Sequence, residues 1–457
     1  MTDLSFEAAL NDRVGEMIDA CTRCGKCVEA CPSVRPAGIA DASPTEVICG
    51  IIDLLRTGDG PEISQEEASQ KWASSCTLSG HCIRACDEGV NPRFLLAMAR
   101  GAMRRKAADL PTRRRAGVSK YRETSRDVAT LSQMQLDHAT LERLGQGAAA
   151  VAASGEVPDF VFYTGCNVLK TPHIALLALD IMDVLGTSYA VVGGPSHCCG
   201  VMQSRAGDAE MSGRMGTNSI DKMSNSKSGV LSWCPSCYVQ FTETTIPAIE
   251  KQRGAKPFEL TPFLRHLRGR LDELRPHLRA PVKLCVALHQ HSSVPGIVEA
   301  ALDMLRAVPG IEIVDLAQPS VGLQSAQMAA LPNFKRDLQR AELDAARRAG
   351  IDALVTIYHS EHRELCAHEG EQPFQIINIL EVLGQSMGLH RHDRYKELKL
   401  TQDAELILDE CADLINANAV DPVLAREVVI KAMLGDQPLP LMGGKPADTH
   451  ADTARPA

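Results

Sequence analysis

Aromatic residues are scarce in this 457-residue chain: 2 Trp, 6 Tyr and 9 Phe, or 4% of the whole. So few rings leave no stacking platform for nucleic acid. Positive charge is not in excess either. The 48 Lys and Arg face 57 Asp and Glu, a net charge of −9, which disfavours phosphate backbones and anionic membrane surfaces. No apolar run approaches the roughly 20 residues needed to span a bilayer. Met1–Arg13 lacks the basic start and apolar core of a signal peptide. The expectation is therefore a cytoplasmic protein with no membrane span, with peripheral attachment to a membrane complex still open. The glycine-rich spots, such as Gly193-Gly194, lack the G-x-G-x-x-G frame of dinucleotide sites. No flavin is expected in this chain. Its 44% hydrophobic content suffices for ordinary cores, and its length suits two or three domains.

What the chain has in quantity is cysteine, 16 in all. Disulfides are rare in a reducing cytoplasm, so closely spaced cysteines read as metal ligands. Cys21-x2-Cys24-x2-Cys27-x3-Cys31-Pro32 is the run that bacterial ferredoxins use for [4Fe–4S] clusters, its fourth cysteine serving the neighbouring cluster. A zinc site is the alternative, but zinc more often takes two separated pairs. A second half-motif follows, with Cys76, Cys82 and Cys86 in the same frame. Ser79 stands where its second cysteine belongs, and Asp87 replaces the Pro. Exchange of the fourth cysteines gives one complete set, Cys21, Cys24, Cys27 and Cys86. The other set holds Cys31, Cys76 and Cys82, with Ser79 at the open corner. Three thiolates suit a cluster short of one iron; a Ser79-ligated [4Fe–4S] cluster or one with an open iron are the alternatives.

The largest concentration of soft ligands lies further on. Thirty-one residues separate Cys166 from the doublet Cys198-Cys199, which Gly200 follows; thirty-three more lead to Cys234-Pro-Ser-Cys237. Around them strands and helices alternate: strands at 160–163, 189–192 and 229–233, helices at 174–185 and 209–223. Each cysteine group then falls at the carboxyl end of a strand, where open α/β sheets gather their sites. Five thiolates suit a centre that is not a simple cubane, which has only four irons to cap. A second copy of the pattern follows at an offset of 124, with strands at 282–288, 311–314 and 353–357, helices at 297–305 and 335–349, and an apolar helix at 374–389. Its ligand positions fall on Ser292, Gly322, Leu323, Tyr358 and Glu361, none of them a cysteine. Cys49, Cys285, Cys366 and Cys411 are scattered and read as packing residues. His197, beside the doublet, reads as a surface histidine or a group that places a proton.

The fold expected is mixed α+β: a helical, ferredoxin-like two-cluster domain, then a duplicated α/β cysteine-rich domain. The divisions are 1–110 for the first domain, 111–155 a linker, 156–270 the intact cysteine-rich half and 271–390 the degenerate one. A helical region, 391–435, and a disordered tail, 436–457, complete the chain. The basic stretch 93–125, with Arg104, Arg105, Arg113, Arg114 and Arg115, reads as a solvated helix and linker or as a docking surface for an acidic partner.

Two resemblances attach to these residues. The second half-motif, ending in Gly89-Val-Asn91-Pro92, resembles the iron–sulfur subunit of succinate dehydrogenases and fumarate reductases, which implies a [3Fe–4S] centre. The frame from Cys166 to Cys237 resembles the cysteine-rich (CCG) domain of heterodisulfide reductase catalytic subunits, and the ferredoxin-like run resembles their electron-transfer subunit. That second resemblance, over roughly 15–390, implies a noncubane [4Fe–4S] cluster at the five cysteines and a thiol–disulfide oxidoreductase subunit in a multi-subunit complex. Electrons would pass to or from a flavoprotein or other redox partner. The sulfur substrate could be a small disulfide, a protein trisulfide or a lipoyl thiol. The family can use two paired motifs; this chain has one. The alternative is a non-catalytic iron–sulfur subunit relaying electrons from a flavoprotein dehydrogenase of the glycolate oxidase or glycerol-3-phosphate dehydrogenase type to quinone. A zinc scaffold is a third reading. Iron content of about eleven per chain is the expectation of the redox readings.

Overall fold

The computed structural model describes residues 4–57, 65–145, 156–290, 293–324 and 326–441. The amino-terminal part is helical. In α1 (Phe6–Ala20) the Ser5 hydroxyl caps the first turn, and Phe6, Leu10, Val14 and Ile18 bury one face at helical spacing. Single-turn helices α2 (Lys26–Glu29) and, later, α5 (His81–Arg84) occupy equivalent places in the two cysteine motifs. Between and after them lie α3 (Pro44–Thr57), α4 (Gln65–Ser74) and α6 (Pro92–Ala107). Ile48, Ile51, Trp72, Phe94 and Leu95 fill the core they share.

The stretch expected to be a linker is built differently. Residues 110–133 form α7 (Leu110–Gln133), with Asp109 as its cap and Pro111 in the first turn, where its missing N–H leaves no bond unmade. A short α8 (His138–Gly145) follows; 146–155 lie outside the described residues. The helix is tied along its length. Arg114 Nε donates to Asp208 Oδ2 at 2.9 Å, Tyr121 Oη to Pro195 O at 2.9 Å, and Asn418 Nδ2 to Gln133 O at 2.7 Å. It is a packed strut, and the physical reason is that one face of it buries Gly117, Val128 and Leu131.

Two parallel four-stranded sheets follow, in the orders β2-β1-β3-β4 and β6-β5-β7-β8. The first comprises β1 (Phe160–Tyr163), β2 (Tyr189–Val192), β3 (Val230–Ser232) and β4 (Leu260–Pro262); the second, β5 (Leu284–Leu288), β6 (Ile311–Val314), β7 (Ala353–Thr356) and β8 (Gln375–Asn378). Central β1 pairs with β2 and β3, and β5 pairs likewise with β6 and β7. The repeated strand order is the duplication in three dimensions. Phe162, Leu177, Leu231 and Phe263 of one half share a core with Val286, Leu305, Val355 and Leu380 of the other.

Two corrections concern elements. The fourth strand of each sheet was absent from the sequence expectation. Residues 374–389, expected as one helix, divide into β8 and the helix Ile379–Met387, with Asn378 and Glu381 forming a capping box at the join. The expected disordered tail also begins too early: Leu439 is buried, and Asp436 Oδ2 accepts from Arg363 Nε at 2.9 Å. Residues 442–457 lie outside the described residues.

Candidate iron–sulfur sites

The cysteines gather in three groups. Cys21 caps the end of α1, Cys24 is exposed on the loop, Cys27 lies on α2 and Cys86 follows α5. All four line one cavity with Ile48, Val90 and Leu95. Burial, reinforced by Cys21, Cys24 and Cys86, pushes the Cys27 thiol up to about 12. At the rim, Lys26 of the first motif pairs with Asp87 of the second.

Cys31, Cys76 and Cys82 form the next group. Burial pushes the Cys82 thiol up, with Cys76 and Cys31 adding to it. Burial also raises Cys31, whose sulfur lies 3.1 Å from Ser33 Oγ. Ser79 is buried on the turn between Cys76 and Cys82. The backing of that turn comes from the far half of the chain: Leu323 N–H donates to Thr77 O at 3.0 Å. A Cβ on Gly322, at φ +92°, would sit 2.4 Å from Thr77 O and 2.7 Å from Ser79 N, so only glycine fits. The buried Arg93 guanidinium donates to Leu78 O at 2.7 Å and Ser293 O at 3.1 Å, and it grips the Glu243 carboxylate. Burial opposes its charge, but Glu243, with Cys76 and Cys82, raises its pKa overall.

The third group is the densest. Cys166 follows β1, Cys198-Cys199 follow β2, and Cys234 and Cys237 bracket the turn after β3. All five are buried. Gly165, at φ +75°, brings the first loop against this turn; a Cβ there would lie 2.8 Å from Cys234 Cβ. The thiols of Cys198 and Cys199, Cys199 and Cys237, and Cys234 and Cys237 are within hydrogen-bonding reach of each other. Hydrogen bonds from Cys198 and Cys237 hold Cys199 and Cys234 low, while Cys198 and Cys237 are raised in return. Burial, together with Cys234 and Cys199, pushes Cys166 up to about 12. Tyr163 Oη donates to His197 O at 2.8 Å and lies 3.9 Å from Cys237 Sγ. His197 itself turns its ring to Gly193 O, 3.0 Å from Nδ1.

The donor sets fit iron–sulfur centres. Thiols raised by burial stay protonated on their own; a metal cation replaces the proton and compensates the thiolates. A set of four cysteines would also suit structural zinc, but three with an adjacent serine and five together depart from its four-ligand sites.

Sequence reasoning missed two residues beside the five cysteines. His359 sits where the second copy would have Pro235, and its buried ring lies beside Cys234, where it helps to lower that thiol's pKa. The 124-residue offset locates this position but not its approach to Cys234. Arg205 faces Cys199, Cys234 and Cys237 from the helix Val201–Ala206. With Arg93 and Arg100 it lines a cavity bounded by Leu78 on one side and Val201 and Ser236 on the other. The cavity thus lies between the Cys76–Cys82 turn and the five-cysteine group.

In the second half the ligand positions have other occupants. Tyr358 packs edge-on against Trp233 at 6.0 Å. Ser360 Oγ donates to Glu361 Oε2 at 2.6 Å, His289 Nδ1 lies 2.7 Å from Glu342, and Lys335 pairs with Glu364 at 2.7 Å. Burial pushes the Glu364 carboxyl up to about 7 despite Lys335. Gly322 and Leu323 face the Cys76–Ser79 turn, as described; Ser292 lies outside the described residues. No helix among the described residues is long and apolar enough to cross a membrane.

Comparison with known proteins agrees with this layout. The 4Fe-4S dicluster domain family matches residues 13–87, and the cysteine-rich domain family matches 160–242. The D subunit of the dihydromethanophenazine:CoB–CoM heterodisulfide reductase of Methanosarcina barkeri is 21% identical over 402 residues, covering 81% of this chain and 94% of that protein. Its counterparts from Methanosarcina mazei and Methanosarcina acetivorans are each 20% identical, with the same coverage. The chain is therefore an iron–sulfur redox polypeptide, a 4Fe-4S dicluster domain followed by a cysteine-rich domain, similar over four-fifths of its length to the D subunits of heterodisulfide reductases.

Proposed function

We propose that this chain is a thiol–disulfide oxidoreductase subunit whose chemistry takes place at the five-cysteine group. Cys21, Cys24, Cys27 and Cys86 hold a [4Fe–4S] cluster. Cys31, Cys76 and Cys82 hold a [3Fe–4S] cluster, or a [4Fe–4S] cluster completed by Ser79. Cys166, Cys198, Cys199, Cys234 and Cys237 hold a noncubane [4Fe–4S] cluster. When bound, these groups supply one-electron transfer and, at the last, iron with affinity for sulfur. The observation that carries the reading is the gathering of five buried cysteines at the carboxyl ends of β1, β2 and β3, with a small cavity lined by Leu78, Arg205 and Ser236 between them and the second group.

The protein's own residues then have distinct tasks. Arg100 and Arg205 draw an anionic substrate towards the cavity, where Arg93 is already neutralised by Glu243. Cleaving a disulfide to two thiols consumes two electrons and two protons. His359, buried beside Cys234, passes a proton to the reacting region. The buried Tyr163 fixes the loop of His197 and so the doublet that follows it. Run backwards, the same arrangement oxidises a thiol pair and exports electrons. A redox partner docks where Cys24 is exposed, since that corner of the first group lies nearest solvent.

The alternative, a relay passing electrons from a flavoprotein to quinone, needs no substrate beside Cys234. Electron paramagnetic resonance of anaerobically purified protein separates the two. Adding a small disulfide or thiol should produce a new signal that is lost in Cys198→Ser. If no thiol or disulfide perturbs any signal while a flavoprotein reduces the protein normally, the relay is correct.

A further inference from the structure

A second kind of ligand set lies outside the cysteine groups. His173, His362, Glu381 and Asp393 present one donor atom each, all within 4.8 Å of one another. They come from four separate elements. His173 is in the first turn of the helix Pro172–Val184, in the intact half. His362 lies on the helix His359–Leu365 and Glu381 on the helix Ile379–Met387, both in the degenerate half. Asp393 caps the helix Arg394–Thr401 of the carboxyl-terminal region.

The local chemistry is unfinished. His362 Nε2 lies 2.6 Å from Asp393 Oδ2. His173, 2% exposed, lies 3.2 Å from Asp393 Oδ1 and 3.7 Å from Glu381 Oε2. Neither of its ring nitrogens makes an aligned hydrogen bond, nor does His362 Nδ1. Both nitrogens of the His173 ring meet carboxylates at ion-pair distance without an aligned hydrogen bond, and burying polar groups that make no good hydrogen bond is costly. The carboxylates are oriented by backbone groups: Glu381 Oε2 accepts from Asn378 N–H at 2.6 Å, and Asp393 Oδ1 from Lys396 N–H at 3.1 Å. The nearby cation, Lys396, is engaged by Glu369 at 2.9 Å. A surface groove lined by Glu381, Asp393 and Lys396 leads in from solvent.

We propose that these four residues bind a divalent first-row transition ion of the zinc class. Two imidazoles select against magnesium and calcium, and two carboxylates with no thiolate select against the iron–sulfur chemistry nearby. Four ligands from the protein make it a closed, structural site. The ion would pin both halves and the carboxyl-terminal helices together. It would also anchor the helix whose first residue, His359, reaches Cys234.

The test is made on anaerobically purified, cluster-loaded protein. Metal analysis should find about one zinc per chain besides iron, and none in His173→Gln/His362→Gln at unchanged iron content. Mild chelation should remove that zinc, and added Co²⁺ should then give a visible spectrum of nitrogen and oxygen ligation. If the double variant does not fold, the Co²⁺ spectrum of the native chain decides alone. Failure of the chelated native chain to take up Co²⁺ or Zn²⁺ overturns the proposal. So does a spectrum with intense thiolate-to-cobalt bands, which would place the ion at cysteines.

Discussion

At the scale of single residues, the least regular ligand position is Ser79. If its hydroxyl marks a vacated iron corner, Ser79→Cys should raise the iron content from about eleven to about twelve per chain, read by metal analysis and by loss of a [3Fe–4S] resonance signal. His359 gives a second test. His359→Leu removes the group that meets the Cys234 thiol while leaving every cysteine in place. Disulfide turnover should fall roughly 10²-fold, the scale of a lost proton-handling residue, with iron content unchanged. A third residue reports on pH. His266 packs edge-on against Phe160 at 4.8 Å, and burial, with Arg270 adding to it, lowers its pKa to about 4. Between pH 6.5 and 4 the unfolded chain binds a proton there that the folded chain refuses. The stability contribution is therefore present above pH 6.5 and lost as pH falls towards 4. In His266→Phe, unfolding measured across that window should depend less steeply on pH than in the native chain.

At the scale of elements, the ferredoxin-like cysteines were legible from tight local spacing, and the five-cysteine group from motifs recurring at the ends of alternating strands. The strands at 160–163, 189–192 and 311–314 were legible from short β-branched and aromatic runs between helices. The fourth strand of each sheet was not. Leu260-Thr-Pro262 ends in a proline, which argues against a strand. Gln375–Asn378 runs without a break into an apolar helix, and short apolar runs do not reveal their period. His359 and the His173 cluster were illegible for another reason. Their partners lie far away in sequence, and no motif records which element crosses to which. The loop at Gly322 has the same character, and it can be tested. Gly322→Ala places a side chain against Thr77 O at a positive φ. It should cost about 1–3 kcal/mol, measured as a lowered Tm, and should make the cluster at Cys31, Cys76 and Cys82 more sensitive to oxygen.

At the scale of the whole molecule, the degenerate half has changed its work. Its cluster positions hold an aromatic contact and a buried carboxylate, with buried ion pairs elsewhere in the half, and it brings His359 beside the intact site and Leu323 to the ferredoxin-like domain. The carboxyl-terminal region closes over it. Burial would raise the Asp436 carboxyl, but Arg363, Lys399 and Lys170 hold it at about 2. Asp436→Asn leaves the buried Arg363 without its counter-charge, which should cost about 3 kcal/mol. The loss should appear in thermal unfolding without a change in iron content. Along α7, Arg114, Arg115, Arg122, Arg126 and Lys431 line one open groove together with Glu123 and Glu427.

The contact of Leu323 with the Cys76–Ser79 turn also constrains time. The turn is made early in synthesis, whereas its cover, with Ser293 on Arg93, comes more than 200 residues later. Until then Thr77 O and the Arg93 guanidinium lack these partners, so the turn that carries Ser79 gains its final packing only after the second half has been made.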